Sequence, residues 1–187
     1  KKKNKYIFKK KKFKYILSIG RFEKVKNHLM QLKAAMILKK KLNFKLILIG
    51  DGSEKKQIIQ FIKKNGLKNN VDLINFTKNP YPFFRGADLI INTSNFEGLC
   101  NVIIESIFLR KYIISTDCPV GPRELITNKK VGSLIRKYDY EALASKIVKY
   151  FKLKKNKKNY PKTLKNKLDV SKIKKSYNQY IFNIIKQ

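Results

Sequence analysis

The sequence predicts an α/β domain built on a doubly wound parallel sheet. Three observations predict it. Short apolar runs rich in β-branched residues recur along the chain, each closed by glycine or a small polar turn, as buried strands require. A segment of helical periodicity follows almost every run, and regular alternation of strand and helix marks parallel βαβ units. The residues able to do chemistry (Arg21, Lys26, Asn75, Glu97 and Asp117) fall just after predicted strands. In a parallel sheet they share the carboxyl edge, where such sheets hold their ligands.

Residues 1–14 are a basic, aromatic-dotted lead-in that reads as a linker from a preceding domain. The first strand is YILSI at 15–19, closed by Gly20. Arg21 and Lys26 follow, and Asn27 has the side chain to cap a helix over 28–38. A strand end, a glycine and two cations before a helix suit a diphosphate. A solvated charge pair is the alternative in a chain with 45 Lys and Arg. His28 is the single histidine and reads as a surface residue at the helix start.

FKLILI at 44–49 is the second strand. The Gly50-Asp51-Gly52 segment after it lacks the third glycine of a dinucleotide loop, because Lys55 stands there. The reading is a simple turn with Ser53 as helix cap. The helix over 54–64 stops at Asn65-Gly66. The third strand, 71–74, leads to Asn75, Phe76 and Thr77 and then to a turn at Asn79-Pro80-Tyr81-Pro82. Asn75 tolerates the left-handed conformation a tight turn needs. Phe76 reads as a core aromatic, or as a wall beside a base.

Residues 88–91 are the fourth strand, followed by a helix to about residue 109. The fifth strand is 112–115, a short helix covers 123–126, and the last strand is 131–135. Asp139 precedes a helix over 140–151. The domain proper therefore spans 15–151, with a Lys-rich connector at 152–170 and a C-terminal helix within 171–187. Ile173, Tyr177, Tyr180, Ile181 and Ile184 give that last helix its apolar spacing.

The stretch NTSNFEGLCNVIIESI at 92–107 organises the rest. Glu97 and Glu105 bracket an unhindered turn at Gly98. With a helix starting at Leu99 to Asn101, the first free N–H groups point out past the strand end, and such a terminus binds phosphate. Carboxylates beside a phosphate are poor phosphate ligands and good acceptors for sugar hydroxyls. A phosphate at the helix end with hydroxyls on both sides describes a nucleotide sugar.

Composition bounds the alternatives. A chain of 187 residues with 43% hydrophobic residues buries a real core. The net charge of +33 is extreme. It fits an anionic membrane surface, a nucleic acid, or drift of composition toward Lys, Asn and Ile. The arginines are few, and Lys lacks their bidentate fork, so specific nucleic-acid binding is not expected. Cys100 and Cys118 are the only cysteines and form no CxxC, so they read as reduced, buried side chains of a cytosolic protein. No apolar run reaches membrane-spanning length.

Four segments carry a resemblance: GRFEKVKN, NPYPFFRGADLIINTS, FEGLCNVIIE and ISTDCPVGPREL. Together they resemble the C-terminal, donor-binding domain of family 4 retaining glycosyltransferases, the type that builds bacterial surface polysaccharides and lipid-linked glycans. The resemblance implies a Rossmann-like domain, the C-terminal half of a GT-B fold. Arg21 and Lys26, after Gly20, would clamp the diphosphate and act in catalysis. Glu97 would hold the donor sugar, and Glu105 the ribose. The backbone at Gly98, Leu99, Cys100 and Asn101 would meet the phosphate and sugar, and Asn75 and Phe76 would border the base. It also implies a UDP-sugar donor, no metal or other cofactor (Asp-x-Asp is absent), and an N-terminal partner domain supplying the acceptor site. The place of work would be the cytoplasm, or its border as a peripheral protein on the anionic inner leaflet. The chain departs from the family pattern at Ser106, where Ala is usual, at Arg110 and Tyr112, where Gly and Pro are usual, and near Asn75, where a Gly is missing.

Other classes remain. A basic, non-catalytic module for RNA or anionic membrane would lose affinity steeply with salt and would have no use for Glu97 or Glu105. A GT-B nucleotide-sugar epimerase or a phosphorylase would keep the ligand and change the reaction.

Overall fold

The structure, a computed structural model, describes residues 6, 8, 9 and 12–153. The helix expected within 171–187 and nearly all of the connector lie outside the described residues. Strands β1 (Lys14–Ile19), β2 (Phe44–Ile49), β3 (Val71–Ile74), β4 (Leu89–Asn92), β5 (Ile113–Thr116) and β6 (Gly132–Ile135) form one sheet in the order β3-β2-β1-β4-β5-β6. All pairings are parallel. The helices are α1 (His28–Leu38), α2 (Lys55–Lys64), α3 (Tyr81–Gly86), α4 (Asn101–Phe108), α5 (Pro122–Leu125) and α6 (Tyr140–Lys152).

The strands are apolar on both sides because both faces of the sheet are covered. Successive side chains point to opposite faces. Ile16, Leu46, Leu48, Leu89, Ile91, Ile114 and Ile135 join one core with α1, α2 and α6. Tyr15, Leu17, Ile47, Ile49, Ile90 and Ile113 join a second with Phe84, Ile103 and Ile107 of α3 and α4. Burying each such side chain contributes about 2 kcal/mol. Tyr6, Phe8 and Phe13 of the lead-in pack against the second core.

The strand order reverses between β1 and β4. Connections from β1 and β4 leave toward opposite faces and open a crevice between the two loops. A doubly wound sheet binds its ligand at that switch point. The loop after β1 carries Arg21 and Lys26, and the loop after β4 carries Glu97.

Several elements differ from the sequence reading. The expected turn at Asn79 to Pro82 starts helix α3, with Pro80 at its N-cap. Proline suits the first turn of a helix because the N–H it lacks would be unpaired there anyway. Phe84 anchors this helix, fully buried, and the buried Lys111 closes its end by donating to Arg85 O at 2.8 Å and Ala87 O at 2.7 Å. Ser53 does not cap α2: its hydroxyl donates to Glu23 Oε2 at 2.8 Å, and no side chain caps that helix. His28 is not a surface residue. It is 2% exposed, its ring edge-on to Phe22 at 4.9 Å. Burial, with Lys26 adding repulsion, pushes its pKa down to about 4.

The departures from the family pattern have local consequences. Ser106 is buried and donates to Val102 O at 2.6 Å, one turn back, so it fits where a smaller Ala is usual. Arg110, where a glycine is usual, adopts φ 52°, a left-handed conformation that strains any side chain.

Candidate active site at the sheet crevice

The β1–α1 loop presents cations. Gly20 N–H continues the ladder to Ile49 O at 3.0 Å. A Cβ on Gly50 would lie 2.0 Å from Gly20 O, so the two strand ends approach too closely for any side chain at Gly50. Beyond them the chain makes a 3-10 turn, Lys24–Lys26. Asn27 closes that turn in a left-handed conformation and opens α1, its side chain accepting from Met30 N–H at 3.3 Å. The tight turn aims Lys26 across the crevice.

The β4–α4 loop presents the carboxylate. Glu97 is 7% exposed. Its Oε1 accepts from Lys26 Nζ at 2.7 Å and from Ser94 Oγ at 2.5 Å. The Lys26 side chain keeps 23% exposure. The ammonium therefore faces the crevice while the carboxylate sits beneath it.

Side chains that sequence reasoning passed over lock the two loops together. Asn95 N–H donates to Val25 O at 2.7 Å. Asn27 Nδ2 donates to Asn95 Oδ1 at 3.1 Å, and Asn95 Nδ2 donates to Lys24 O at 3.3 Å. Gln31, buried in α1, donates to Ser18 Oγ at 2.9 Å and to Thr93 Oγ1 at 2.7 Å. The Thr93 hydroxyl lies 3.0 Å from Lys26 O and 3.1 Å from Asn27 O. Thr116 Oγ1 donates to Ser94 O at 2.5 Å and holds the same loop from β5. The one available signal was the run Asn92-Thr93-Ser94-Asn95, four small polar residues directly after an apolar strand.

Helix α4 opens on this crevice. No side chain caps it, and Cys100 is its N-cap residue. Gly98 faces open space, and Leu99 is 75% exposed. The Cys100 thiol is pushed up to about 12, by burial first and by the Glu97 charge second, so it stays protonated. Glu105, half-buried a turn and a half into α4, has its pKa raised by burial. It makes no side-chain hydrogen bond or ion pair to a described residue. Gly121 closes the wall: its φ is +80°, and a Cβ there would lie 2.4 Å from Gly98 O.

The remaining residues of the carboxyl edge do not all converge. Asp117 is engaged by Arg123, whose Nε and Nη2 donate to its two oxygens at 2.9 Å each. Those hydrogen bonds hold Asp117 below its ordinary range. Arg21 is exposed. Asn75 is exposed, is not left-handed, and accepts from Lys55 Nζ at 3.0 Å. Phe76 is no core aromatic: it is 72% exposed. Asn75 and Phe76 follow β3, two strand spacings (about 10 Å) from β1. The crevice thus unites Gly20, Lys26, Glu97, Gly98, Leu99, Cys100 and Asn101, with Glu105 inside α4.

Among the described residues, no group of three or more His, Cys, Asp or Glu could hold a metal ion. No described helix is long and apolar enough to cross a membrane.

Comparison with known proteins gives this arrangement a context. The sequence model of the family Glycosyl transferases group 1 matches residues 1–167. A Campylobacter jejuni protein, the N-acetylgalactosamine-N,N'-diacetylbacillosaminyl-diphospho-undecaprenol 4-alpha-N-acetylgalactosaminyltransferase, is 33% identical over 173 residues, covering 91% of this chain and 47% of its own length. The poly(ribitol-phosphate) alpha-N-acetylglucosaminyltransferase of Staphylococcus aureus is 30% identical over 115 residues, 62% of this chain and 23% of its own. The chain thus spans about half or less of the curated relatives it matches. Among solved structures, S. aureus TarM superposes with TM-score 0.70 at 27% identity, over 74% of this chain and 28% of that one. Anabaena Alr3699/HepE in complex with UDP superposes with TM-score 0.84 at 20% identity, over 92% and 49%.

Proposed function

The chain belongs to the group 1 glycosyl transferases, and from that premise we propose that its crevice binds a nucleotide-sugar donor for transfer, with retention, to a glycan or lipid-linked acceptor. The observation that carries the reading is the Lys26–Glu97 contact of 2.7 Å at the sheet's switch point, beside the uncapped start of α4. A cation and a helix N-terminus suit a diphosphate. A buried carboxylate next to them suits hydroxyls. One ligand that offers both groups side by side is a nucleoside diphosphate sugar.

In this reading Lys26 meets the diphosphate within the crevice, and Arg21, exposed on the same loop, reaches it from solvent. The bond from the anomeric carbon to the β-phosphate oxygen breaks, a bond to the acceptor oxygen forms on the same face, and the acceptor hydroxyl's proton passes to the departing phosphate oxygen. Negative charge then grows on the leaving diphosphate. Preorganised positive charge at that place is worth most in the transition state. Glu97 holds the sugar hydroxyls, and Glu105 accepts from the ribose. Asn75 and Phe76 border the base. No metal is required, because the two cations and the helix end meet the leaving charge. The rest of the protein supplies the acceptor site. UDP-N-acetylhexosamine is the proposed donor, in line with the names of the relatives from C. jejuni and S. aureus. The net charge of +33 suits work at an anionic membrane surface.

Calorimetric titration of the 187-residue chain with UDP, and separately with a short single-stranded RNA, tests the reading at low and high salt. UDP binding that persists at high salt and weakens in Glu105→Ala supports it. RNA binding that collapses with salt, with no UDP binding, would make the charge the function instead.

A further inference from the structure

We infer that the Lys26–Glu97 pair makes this crevice discriminate the intact donor from the spent nucleotide and expel the nucleotide after transfer. The inference rests on the donor reading above. Without ligand, Lys26 and Glu97 neutralise each other at 2.7 Å. The two partners are not equally accessible. Glu97 is 7% exposed, while Lys26 keeps 23% and is the member a phosphate can reach.

A diphosphate carries more negative charge than one carboxylate and competes for the ammonium. As Lys26 turns toward it, Glu97 loses its counter-ion and keeps Ser94 Oγ at 2.5 Å as its hydroxyl donor. With an intact nucleotide sugar, the sugar hydroxyls donate to Glu97 and replace what Lys26 gave. With UDP alone nothing replaces it. A buried carboxylate stripped of its partner is strongly unfavourable. The cost falls on the product and not on the donor. Once the sugar has left, Glu97 reclaims Lys26 and weakens the hold on the diphosphate. Release of product limits many enzymes, so the exchange would speed turnover as well as set selectivity.

Two substitutions move the balance in opposite directions. Glu97→Gln removes the charge that is stranded when UDP binds. Ser94→Ala removes the hydroxyl donor at 2.5 Å, leaving the Cys100 thiol beside Glu97, and makes the stranding worse. The 187-residue chain and both variants are titrated calorimetrically with UDP and with UDP-N-acetylglucosamine, and thermal melts check folding. Glu97→Gln should bind UDP on the order of tenfold more tightly and UDP-N-acetylglucosamine no more tightly. Ser94→Ala should weaken UDP more than UDP-N-acetylglucosamine. If Glu97→Gln leaves UDP affinity unchanged or lower, the ammonium serves both groups at once and the inference is overturned. Equal tightening toward both ligands overturns it too, because plain charge repulsion would then suffice. Should Glu97→Gln not fold, Ser94→Ala alone decides: equal effects on the two ligands overturn the inference. In all these outcomes the parent binds both ligands and the donor reading stands. A parent that binds neither ligand removes the donor reading and this inference with it.

Discussion

Asn27 Nδ2 donates to Asn95 Oδ1 at 3.1 Å and joins the turn that presents Lys26 to the loop that presents Glu97. The two asparagines lie on loops that follow neighbouring strands, β1 and β4. Their contact, with Asn95 Nδ2 on Lys24 O at 3.3 Å, holds the two charged side chains in register. Neither asparagine needs to touch a ligand to matter for one.

Asn95→Ala removes both side-chain contacts and leaves the backbone bond to Val25 O. Affinity for a nucleotide sugar should fall about fivefold, the equivalent of ~1 kcal/mol. Stability should fall by a similar amount. Titration calorimetry and a thermal melt measure the two. A lower melting temperature with unchanged affinity would show that the asparagine pair supports the fold and not the site.

Arg110 holds φ 52°, in the left-handed region that favours glycine. A non-glycine residue in the left-handed region costs about 1–2 kcal/mol. Its side chain is exposed, so little packing is lost with it. Arg110→Gly should therefore stabilise the domain by about 1 kcal/mol and raise the melting temperature by about 2–4 °C. Scanning calorimetry decides this, and a fall in melting temperature would mean that the arginine has a stabilising contact outweighing the strain.

His28 couples stability to pH. Its folded pKa is near 4, against an ordinary 6.5, because burial disfavours the charged ring. Between those values the unfolded chain binds a proton at this site and the folded chain does not. Stability therefore drops as pH falls through that window, by roughly 3 kcal/mol in all. His28→Phe keeps an aromatic ring against Phe22 and removes the titration. Urea unfolding near neutral pH and at about pH 4.5 should show a smaller acid loss in the variant than in the parent. Equal acid losses would assign the sensitivity to other groups.

Much of the framework was legible before any coordinates, for a reason visible in β2. FKLILI is apolar at five of six positions because both of its faces are covered. A run of that kind reads as a strand without knowledge of its neighbours. The Asn27 cap and the Gly66 stop were legible too, since capping is local chemistry. Three of the failures were cases where a distant group intervened. Ser53 left its helix for Glu23. His28 went inward, against the buried Phe22. The prolines of α3 read as a turn until Phe84 and Lys111 supplied its anchor and its end.

The site divides in the same way. Alternation of strand and helix by itself placed Arg21, Lys26, Asn75, Glu97 and Asp117 on one edge of a parallel sheet. It did not say which of them meet. Local pattern carries no record of strand order, and only the reversal between β1 and β4 sets Lys26 on Glu97, which lies 71 residues further along the chain. The same packing gave Asp117 to Arg123 and left Phe76 in solvent. Sequence alone determined the elements and the edge, because both follow from which residues must leave water. The tertiary structure decided the partners, because pairing depends on which elements become neighbours once they have.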